Sequence, residues 1–205
     1  MNELRCCYHN DVPSQPRSTS PRELTTVFLD RDGVINEKMP EGEYVRSWSD
    51  FRLLPGAAEA IAKLNAAGMR VIVVSNQRGV ALGLYSAADV DAIHERLQRD
   101  LSERGAHVDG IFYCPHDKSD CNCRKPLPGL FEQAAAKMPE IRAKASAMVG
   151  DSISDIEFGR RLGMLTVFIE GDPERRKAGG ERAGELADMR CGSLAEAVEL
   201  LLHGR

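Results

Sequence analysis

Short and almost wholly apolar runs alternate along this chain with amphipathic helical segments, and that alternation limits the folds open to it. The first run covers residues 26–30, and the second, residues 70–75, is apolar at four successive positions. Such runs are typical of strands buried on both faces of a sheet, and helices between them predict right-handed βαβ units. We therefore expect an α/β fold with three layers and a mostly parallel sheet.

The rest of the chain repeats the same alternation. Further strands are expected at 111–113, 145–150 and 164–169. Helices are expected at 55–67, 86–104, 127–138 and 153–162, with a last helix that begins at a Ser193 cap. Apolar residues recur at steps of three and four in the 86–104 helix, and we expect His94 to be exposed on its charged side.

Composition excludes several classes of protein. The 205 residues suit one domain, 42% of them are hydrophobic, and the formal net charge is −4. No apolar run is long enough to cross a bilayer, and the N-terminus lacks the apolar core of a secretory signal. The negative charge and the 5% aromatic content argue against nucleic-acid binding. We expect a cytoplasmic monomer with neither a membrane nor a nucleic-acid partner.

The N-terminal segment differs from the rest of the chain. Residues 1–23 contain three prolines and several serines and show neither a helical nor a strand period. We expect a mobile extension at 1–23 and a single domain at 24–205. Cys6 and Cys7 lie in this extension and have no partner pattern, so no specific role is expected for them.

Polar residues stand where the expected strands end. Because the carboxyl ends of parallel strands meet at one edge of a sheet, ligands bind there. The residues that this places at one edge are Asp30, Asp32, Ser75, Lys125 and Asp151, with Asp155 one turn further on. A solvated turn would explain any one of them, but not their common position. In an extended strand, Asp30 and Asp32 would also share one face.

The order of these residues resembles that of the haloacid dehalogenase superfamily: an Asp-x-Asp pair, then Ser or Thr, then Lys, then Gly-Asp with a further Asp. The resemblance covers residues 25–170 and implies a phosphomonoester hydrolase. Asp30 would be the nucleophile that forms an aspartyl-phosphate, and Asp32 the general acid and base. Ser75 and Lys125 would donate to the phosphoryl oxygens.

The attack of a carboxylate on a phosphate dianion is repulsive, so the reaction needs a cation. Hard oxygen ligands suit Mg²⁺. Asp30 and Asp151 would supply carboxylates, and the resemblance implies that Asp32 adds its backbone carbonyl. We expect Asp155 to orient Lys125 or a metal-bound water rather than to touch the metal.

Three cysteines and one histidine lie close together between the third strand and the next helix. They are Cys114, His116, Cys121 and Cys123, which form a common ligand set for Zn²⁺. Four protein ligands leave no open position, so the zinc would be structural and would fix the loop that presents Arg124 and Lys125. For the cluster itself, the alternative is that the cysteines are reduced and bind no metal. For the whole chain, a non-catalytic interaction module stabilised by zinc is an alternative to an enzyme.

A more specific resemblance comes from the stretches DRDGVIN, SNQRG, CPH…CNCRKP and GDS. Together they resemble the D-glycero-D-manno-heptose 1,7-bisphosphate phosphatase family, which removes the 7-phosphate. The related histidinol-phosphatase domain shares the zinc loop, so histidinol phosphate or another small phosphomonoester is the alternative substrate; Asn36 favours the heptose family. Arg78 stands where that family has a small residue.

The resemblance also implies the substrate contacts. These are expected from Gly33, Glu37, Tyr44, Asn76, Gln77, Arg78, Arg124 and Lys125. Arg124 could hold the distal phosphate in a bidentate manner, with Arg46 and Arg78 as further candidates. The intervals 32–75 and 75–125 leave no room for the cap domain that many members of the superfamily carry, so we expect a capless, open site.

Overall fold

The computed structural model describes residues 23–118, 121–171 and 179–204. Its centre is a six-stranded sheet in the order β3-β2-β1-β4-β5-β6, in which every neighbouring pair is parallel. The strands are β1 (Thr26–Leu29), β2 (Arg70–Asn76), β3 (Gly110–Cys114), β4 (Ser146–Gly150), β5 (Leu165–Ile169) and β6 (Met189–Cys191). The predicted parallel α/β sheet is confirmed.

Seven α-helices accompany the sheet in the described ranges. They are α1 (Ala57–Ala66), α2 (Arg78–Ala81), α3 (Ala87–Glu103), α4 (Gly129–Lys137), α5 (Ile153–Leu162), α6 (Gly180–Leu186) and α7 (Leu194–His203). Ser86 and Ser193 accept hydrogen bonds from the backbone N–H groups of Asp89 and Glu196, and so cap α3 and α7 as predicted.

The strands bury both of their faces, which is why their sequences are apolar without alternation. In β1, Val27 and Leu29 join the core formed with α1, α3 and α7. Phe28 points to the opposite side and joins the core that includes residues of α4 and Phe158 of α5. Burial of successive residues on opposite faces gives the three layers that the sequence predicted.

The elements that sequence patterns missed are short or weakly apolar. Helix α6 contains two glycines and three charged residues in its seven positions, and β6 has only three residues. Neither carries a hydrophobic period that could separate it from a loop. Both are held by tertiary contacts, since β6 pairs with β5 along Val167–Ile169.

The prediction that His94 is exposed is wrong. Its side chain is buried, with 6% of its surface accessible, and its ring meets the edge of the Tyr113 ring at 5.5 Å between centroids. The steps from Val90 to His94, Leu97 and Leu101 are four, three and four, so His94 belongs to the buried stripe of α3. Arg31 and Tyr113 cover it from the sheet side.

The connections between the first three strands contain few elements. Only a 3₁₀ turn (Trp48–Asp50) and α1 separate β1 from β2, and only α2 and α3 separate β2 from β3. The sheet therefore carries no inserted cap domain at either point, as expected.

The longest described helix has 17 residues, and no helix in the described ranges is long and apolar enough to span a membrane. Except for Glu23, the proposed extension 1–23, with Cys6 and Cys7, lies outside the described residues, so that division stays a prediction.

Candidate active site at the carboxyl edge of the sheet

Three neighbouring strands supply the centre of the candidate site. Strands β2, β1 and β4 are adjacent in the sheet and end at Asn76, Leu29 and Gly150. Parallel strands end at the same edge, so the residues that follow them converge there. The edge collects Asp30 and Asp151, and Ser75 lies just before the end of β2.

Asp30, Asp151 and Asp155 form a buried acidic cluster. One carboxylate oxygen from each lies within 4.8 Å of the others. The ammonium of Lys125 joins the cluster, with Nζ 3.0 Å from Asp30 Oδ1 and 2.6 Å from Asp155 Oδ1. One lysine thus bridges the carboxylate at the end of β1 and the carboxylate on α5.

The electrostatics of this cluster disfavour an ionised Asp30. Burial is the main cause that raises the pKa of Asp30 to about 7; the negative charge of Asp155 adds to it, and Lys125 opposes it. Burial alone would lower the pKa of Lys125, but Asp155 and Asp30 outweigh burial and raise it. Lys125 therefore stays charged, and an ionised Asp30 gains from any further positive charge.

The cluster fits a hard divalent cation. Its donors are carboxylate oxygens, and a buried ammonium, that of Lys38, already forms an ion pair with Asp151. Gly33 lies so close that a Cβ there would be 2.2 Å from Asp151 Oδ2, and its φ of +95° is left-handed. The backbone at Gly33 and the Asp151 carboxylate are therefore packed together in a way that only glycine allows.

Lys125 is held by its backbone as well as by its charge. The side-chain amide of Asn76 donates to the Lys125 carbonyl at 3.1 Å and accepts from the Lys125 N–H at 3.0 Å. Lys125 Nζ also donates to the carbonyl of Val74 at 2.7 Å. The resemblance cast Asn76 as a substrate contact, whereas its amide here binds the segment that carries the lysine.

Asp32 has a separate set of partners. The guanidinium of Arg31 donates to both of its carboxylate oxygens through Nη2, at 2.9 and 3.0 Å. Asn36 Nδ2 and Gln77 Nε2 each donate to it at 3.0 Å. Burial opposes ionisation, but the Arg31 charge and these hydrogen bonds lower the pKa of Asp32.

The expected shared face of Asp30 and Asp32 assumed a continuous strand. The strand ends at Leu29, and Asp32 lies in the turn that follows, where it bridges to Asn36. Each carboxylate therefore has its own partners: Lys125 for Asp30, and Arg31 for Asp32.

Gln77 connects Ser75 to Asp32. Its Nε2 donates to Ser75 Oγ at 2.7 Å, and its Oε1 accepts from the Tyr85 hydroxyl at 2.8 Å. The Ser75 side chain is buried at the end of β2. The side chain of Gln77 thus hydrogen-bonds to other protein groups, and it holds the side chains of Ser75 and Asp32 in place.

The other predicted contacts lie around this centre. Arg78 pairs with Asp117, at 2.5 Å through Nε, and Arg124 Nη1 lies 3.4 Å from the carbonyl of His116. Tyr44 packs against Tyr85 with ring centroids 6.0 Å apart. Glu37 lines a cleft of about 370 Å³ beside Asp151. Of these four residues, Glu37 shares a cleft with a member of the acidic cluster, and the other three have partners of their own.

The Cys and His side chains also converge. Cys114 Sγ lies 3.5 Å from Cys121 Sγ, and His116 Nδ1 lies 3.3 Å from Cys123 Sγ. Ligands around a tetrahedral zinc are about 3.6–3.8 Å apart. The four side chains are therefore preassembled at distances that suit one metal ion.

Comparison with known proteins decides the family. The family model described as haloacid dehalogenase-like hydrolase matches residues 17–163. The chain belongs to this family. The resemblance to the haloacid dehalogenase superfamily is confirmed, and so is the expectation of a phosphomonoester hydrolase.

Relatives of this haloacid dehalogenase-like hydrolase carry more specific names. A D-glycero-alpha-D-manno-heptose-1,7-bisphosphate 7-phosphatase of Mycobacterium tuberculosis is 42% identical over 180 residues, which are 87% of this chain and 92% of that protein. A D-glycero-beta-D-manno-heptose-1,7-bisphosphate 7-phosphatase of Bordetella bronchiseptica is 37% identical over 183 residues, which are 88% of this chain and 99% of that protein.

A solved structure gives the same comparison in three dimensions. The D,D-heptose 1,7-bisphosphate phosphatase of B. bronchiseptica, complexed with magnesium and phosphate, aligns with a TM-score of 0.76 and 32% identity. The alignment covers 89% of this chain and all of that one.

Four residues of the site were missed by sequence reasoning: Arg31, Lys38, Tyr85 and His94. Arg31 and Lys38 look like surface charges in the sequence, although Arg31 is 1% and Lys38 8% exposed. The only usable signal was that of His94, whose spacing from Val90 and Leu97 follows the apolar stripe of α3. Lys38 pairs with Asp151, Tyr85 with Gln77, and Arg31 with both Asp32 and His94, and no periodic pattern reveals these contacts.

Proposed function

We propose that this hydrolase removes the 7-phosphate of D-glycero-D-manno-heptose 1,7-bisphosphate through an aspartyl-phosphate on Asp30. The reaction is supported above all by one observation: the buried Asp30 carboxylate lies 3.0 Å from Lys125 Nζ, within a cluster of three carboxyl groups. The sugar substrate is supported by the names of two relatives, whose alignments cover 87% and 88% of this chain.

In the first transfer, an Asp30 oxygen attacks phosphorus while the bond from phosphorus to the sugar oxygen breaks. Asp32, in its protonated form, gives its proton to the leaving sugar oxygen. Lys125 and Ser75 donate to the phosphoryl oxygens and keep the phosphorus in line with Asp30. The five hydrogen bonds from N–H groups that Asp32 now accepts suit the ionised form that it has after this step.

In the second transfer, water attacks the phosphorus of the acyl phosphate and Asp32 takes its proton. Asp30 leaves as a carboxylate, and the proton taken from water restores the protonated form of Asp32, while the first proton departs with the sugar. A Mg²⁺ ion held by Asp30, Asp151 and the Asp32 carbonyl would offset the negative charge of the phosphoryl group. Asp155 keeps Lys125 in place throughout.

The distal phosphate needs a second cationic contact. We assign it to Arg124, which directly follows Cys123 of the Cys and His cluster and is only partly buried. Arg78 is committed to Asp117, and its guanidinium would have to leave that ion pair to contact substrate. The proposed catalytic residues all belong to one chain, so we propose that the monomer is active. We also propose a cytoplasmic location, which the unpaired state of the four described cysteines suits.

A substrate panel tests this function. Phosphate release should be at least 100-fold more efficient, in kcat/KM, for an anomer of the heptose bisphosphate than for histidinol phosphate. Both anomers belong in the panel because the relatives are named for both. Phosphorus NMR should show loss of the 7-phosphate and retention of the 1-phosphate. A preference for histidinol phosphate would replace the proposed substrate while leaving the mechanism intact.

We also propose that one Zn²⁺ binds Cys114, His116, Cys121 and Cys123. Elemental analysis should find about one zinc per chain, and Cys121→Ser should lower that content. Because Asn76 and Asp155 hold Lys125 independently of the loop, we expect KM to rise more than kcat falls. Cys191→Ser is the matched control, since Cys191 lies outside the cluster. Purified protein without zinc would refute the assignment.

A further inference from the structure

His94 makes a contact that the reaction described so far does not use. Its Nε2 lies 3.2 Å from Nη1 of Arg31, and both side chains are buried. The same guanidinium donates to Asp32 through Nε at 3.3 Å and through Nη2 at 2.9 and 3.0 Å. The Nε–Nη2 edge of the Arg31 guanidinium therefore faces Asp32, and Nη1 faces His94.

The contact has a fixed polarity. An arginine side chain only donates hydrogen bonds, so His94 Nε2 must be the acceptor and the ring must carry its proton on Nδ1. Burial lowers the pKa of His94 to about 3, and the positive charge of Arg31 acts in the same direction. A neutral ring with a free Nε2 lone pair is therefore the form that the surroundings favour.

The buried guanidinium needs this acceptor. Arg31 is 1% exposed, so a donor that lost its partner could not turn to water. Without His94, Arg31 Nη1 would need another hydrogen-bond acceptor. The Asp32 carboxylate, which already accepts from Nη2 of the same guanidinium, is the nearby candidate. The guanidinium would then rotate, and the direction of the Asp32 carboxylate would change with it.

We propose that His94 is a positioning residue that holds Arg31 flat against Asp32 and so aims the carboxyl group that transfers the protons. This inference rests on the proposed function, because it assigns Asp32 the proton given to the leaving sugar oxygen. His94 acts only through Arg31 and does not touch substrate.

The leaving group supplies a readout that a merely structural role would not change. A sugar alkoxide needs the Asp32 proton as its bond to phosphorus breaks, because the electron pair stays on a strongly basic oxygen. p-Nitrophenolate leaves with its electron pair and without a proton. The ratio of kcat/KM for the two substrates therefore reports how well Asp32 is aimed during the first transfer.

The test compares His94→Phe, which lacks an acceptor, with His94→Gln, whose Oε1 restores one. For His94→Phe, we expect kcat/KM to fall about 30-fold on the sugar phosphate and less than about 3-fold on p-nitrophenyl phosphate. His94→Gln should recover most of the loss. Tyr113→Phe is the control, because it keeps the ring beside His94 and removes only the hydroxyl bonded to Asp91.

Equal losses on both substrates, or no recovery in His94→Gln, would overturn the inference. Wild-type protein that is inactive on every sugar phosphate would instead overturn the proposed function. Nitrogen NMR of the wild-type ring tests the contact even if His94→Phe does not fold. We expect a protonated Nδ1 and an unprotonated, hydrogen-bonded Nε2, and a proton on Nε2 would refute the contact.

Discussion

Replacing Asp30 with Asn is expected to abolish turnover, with a fall in kcat of about four orders of magnitude. The amide has nearly the shape of the carboxylate but has no anionic oxygen to attack phosphorus. The fold should survive, because burial already disfavours an ionised Asp30 and Lys125 keeps its ion pair with Asp155. Phosphate release measures the first effect, and thermal unfolding the second.

Asp100→Asn is the matched control for this variant. Asp100 is paired with Arg104 at the C-terminal end of α3 and does not belong to the acidic cluster, so the same chemical change should leave kcat unaltered. Acid quenching of the wild-type enzyme during turnover should trap one phosphoryl group on Asp30, found by mass spectrometry of its peptide. Substantial activity in Asp30→Asn would end the covalent mechanism.

Gly33→Ala is expected to cost about 3 kcal/mol or more of folding stability and at least a tenfold loss in Mg²⁺ affinity. The added Cβ would lie 2.2 Å from Asp151 Oδ2, so the carboxylate must move away from Lys38 and from the acidic cluster. Urea denaturation gives the stability, and titration calorimetry with Mg²⁺ gives the affinity.

Gly42→Ala separates the two causes of that effect. Gly42 also has a positive φ, +86°, but a Cβ there would meet nothing within 4 Å. This variant should lose about 1 kcal/mol from backbone strain alone and bind Mg²⁺ as the wild type does. If both variants behave alike, the close packing of Gly33 on Asp151 has no consequence for the cation.

The sheet and its order of helices could be predicted because burial on both faces leaves a local signature. An apolar run such as 71–74 is visible in the sequence, and so are the Ser86 and Ser193 caps. The position of the candidate site could be predicted for a related reason, since residues at the ends of neighbouring parallel strands lie close together. Backbone geometry alone therefore brings Asp30 and Asp151 together.

The partners of these residues could not be predicted, because they depend on long-range contacts of flexible side chains. Nothing local indicates that Lys38 reaches Asp151, 113 positions away, or that Asn76 binds the backbone of Lys125. Arginine is usually an exposed residue, and only the folded structure shows that Arg31 is buried between His94 and Asp32. Hydrophobic periodicity predicts which face of a helix or strand is buried, whereas the partner of a given side chain is known only from the folded structure.

The position of the acidic cluster in the sheet has a consequence for how such enzymes can diversify. Asp30 and Asp151 directly follow β1 and β4, and Ser75 lies near the end of β2; these three adjacent strands each have a strand on both sides. Tyr44, Arg78 and Arg124 come from partly exposed segments outside the sheet. Selection for a new phosphate ester can therefore act on peripheral loops and leave the reacting groups, and the folding of the sheet, untouched.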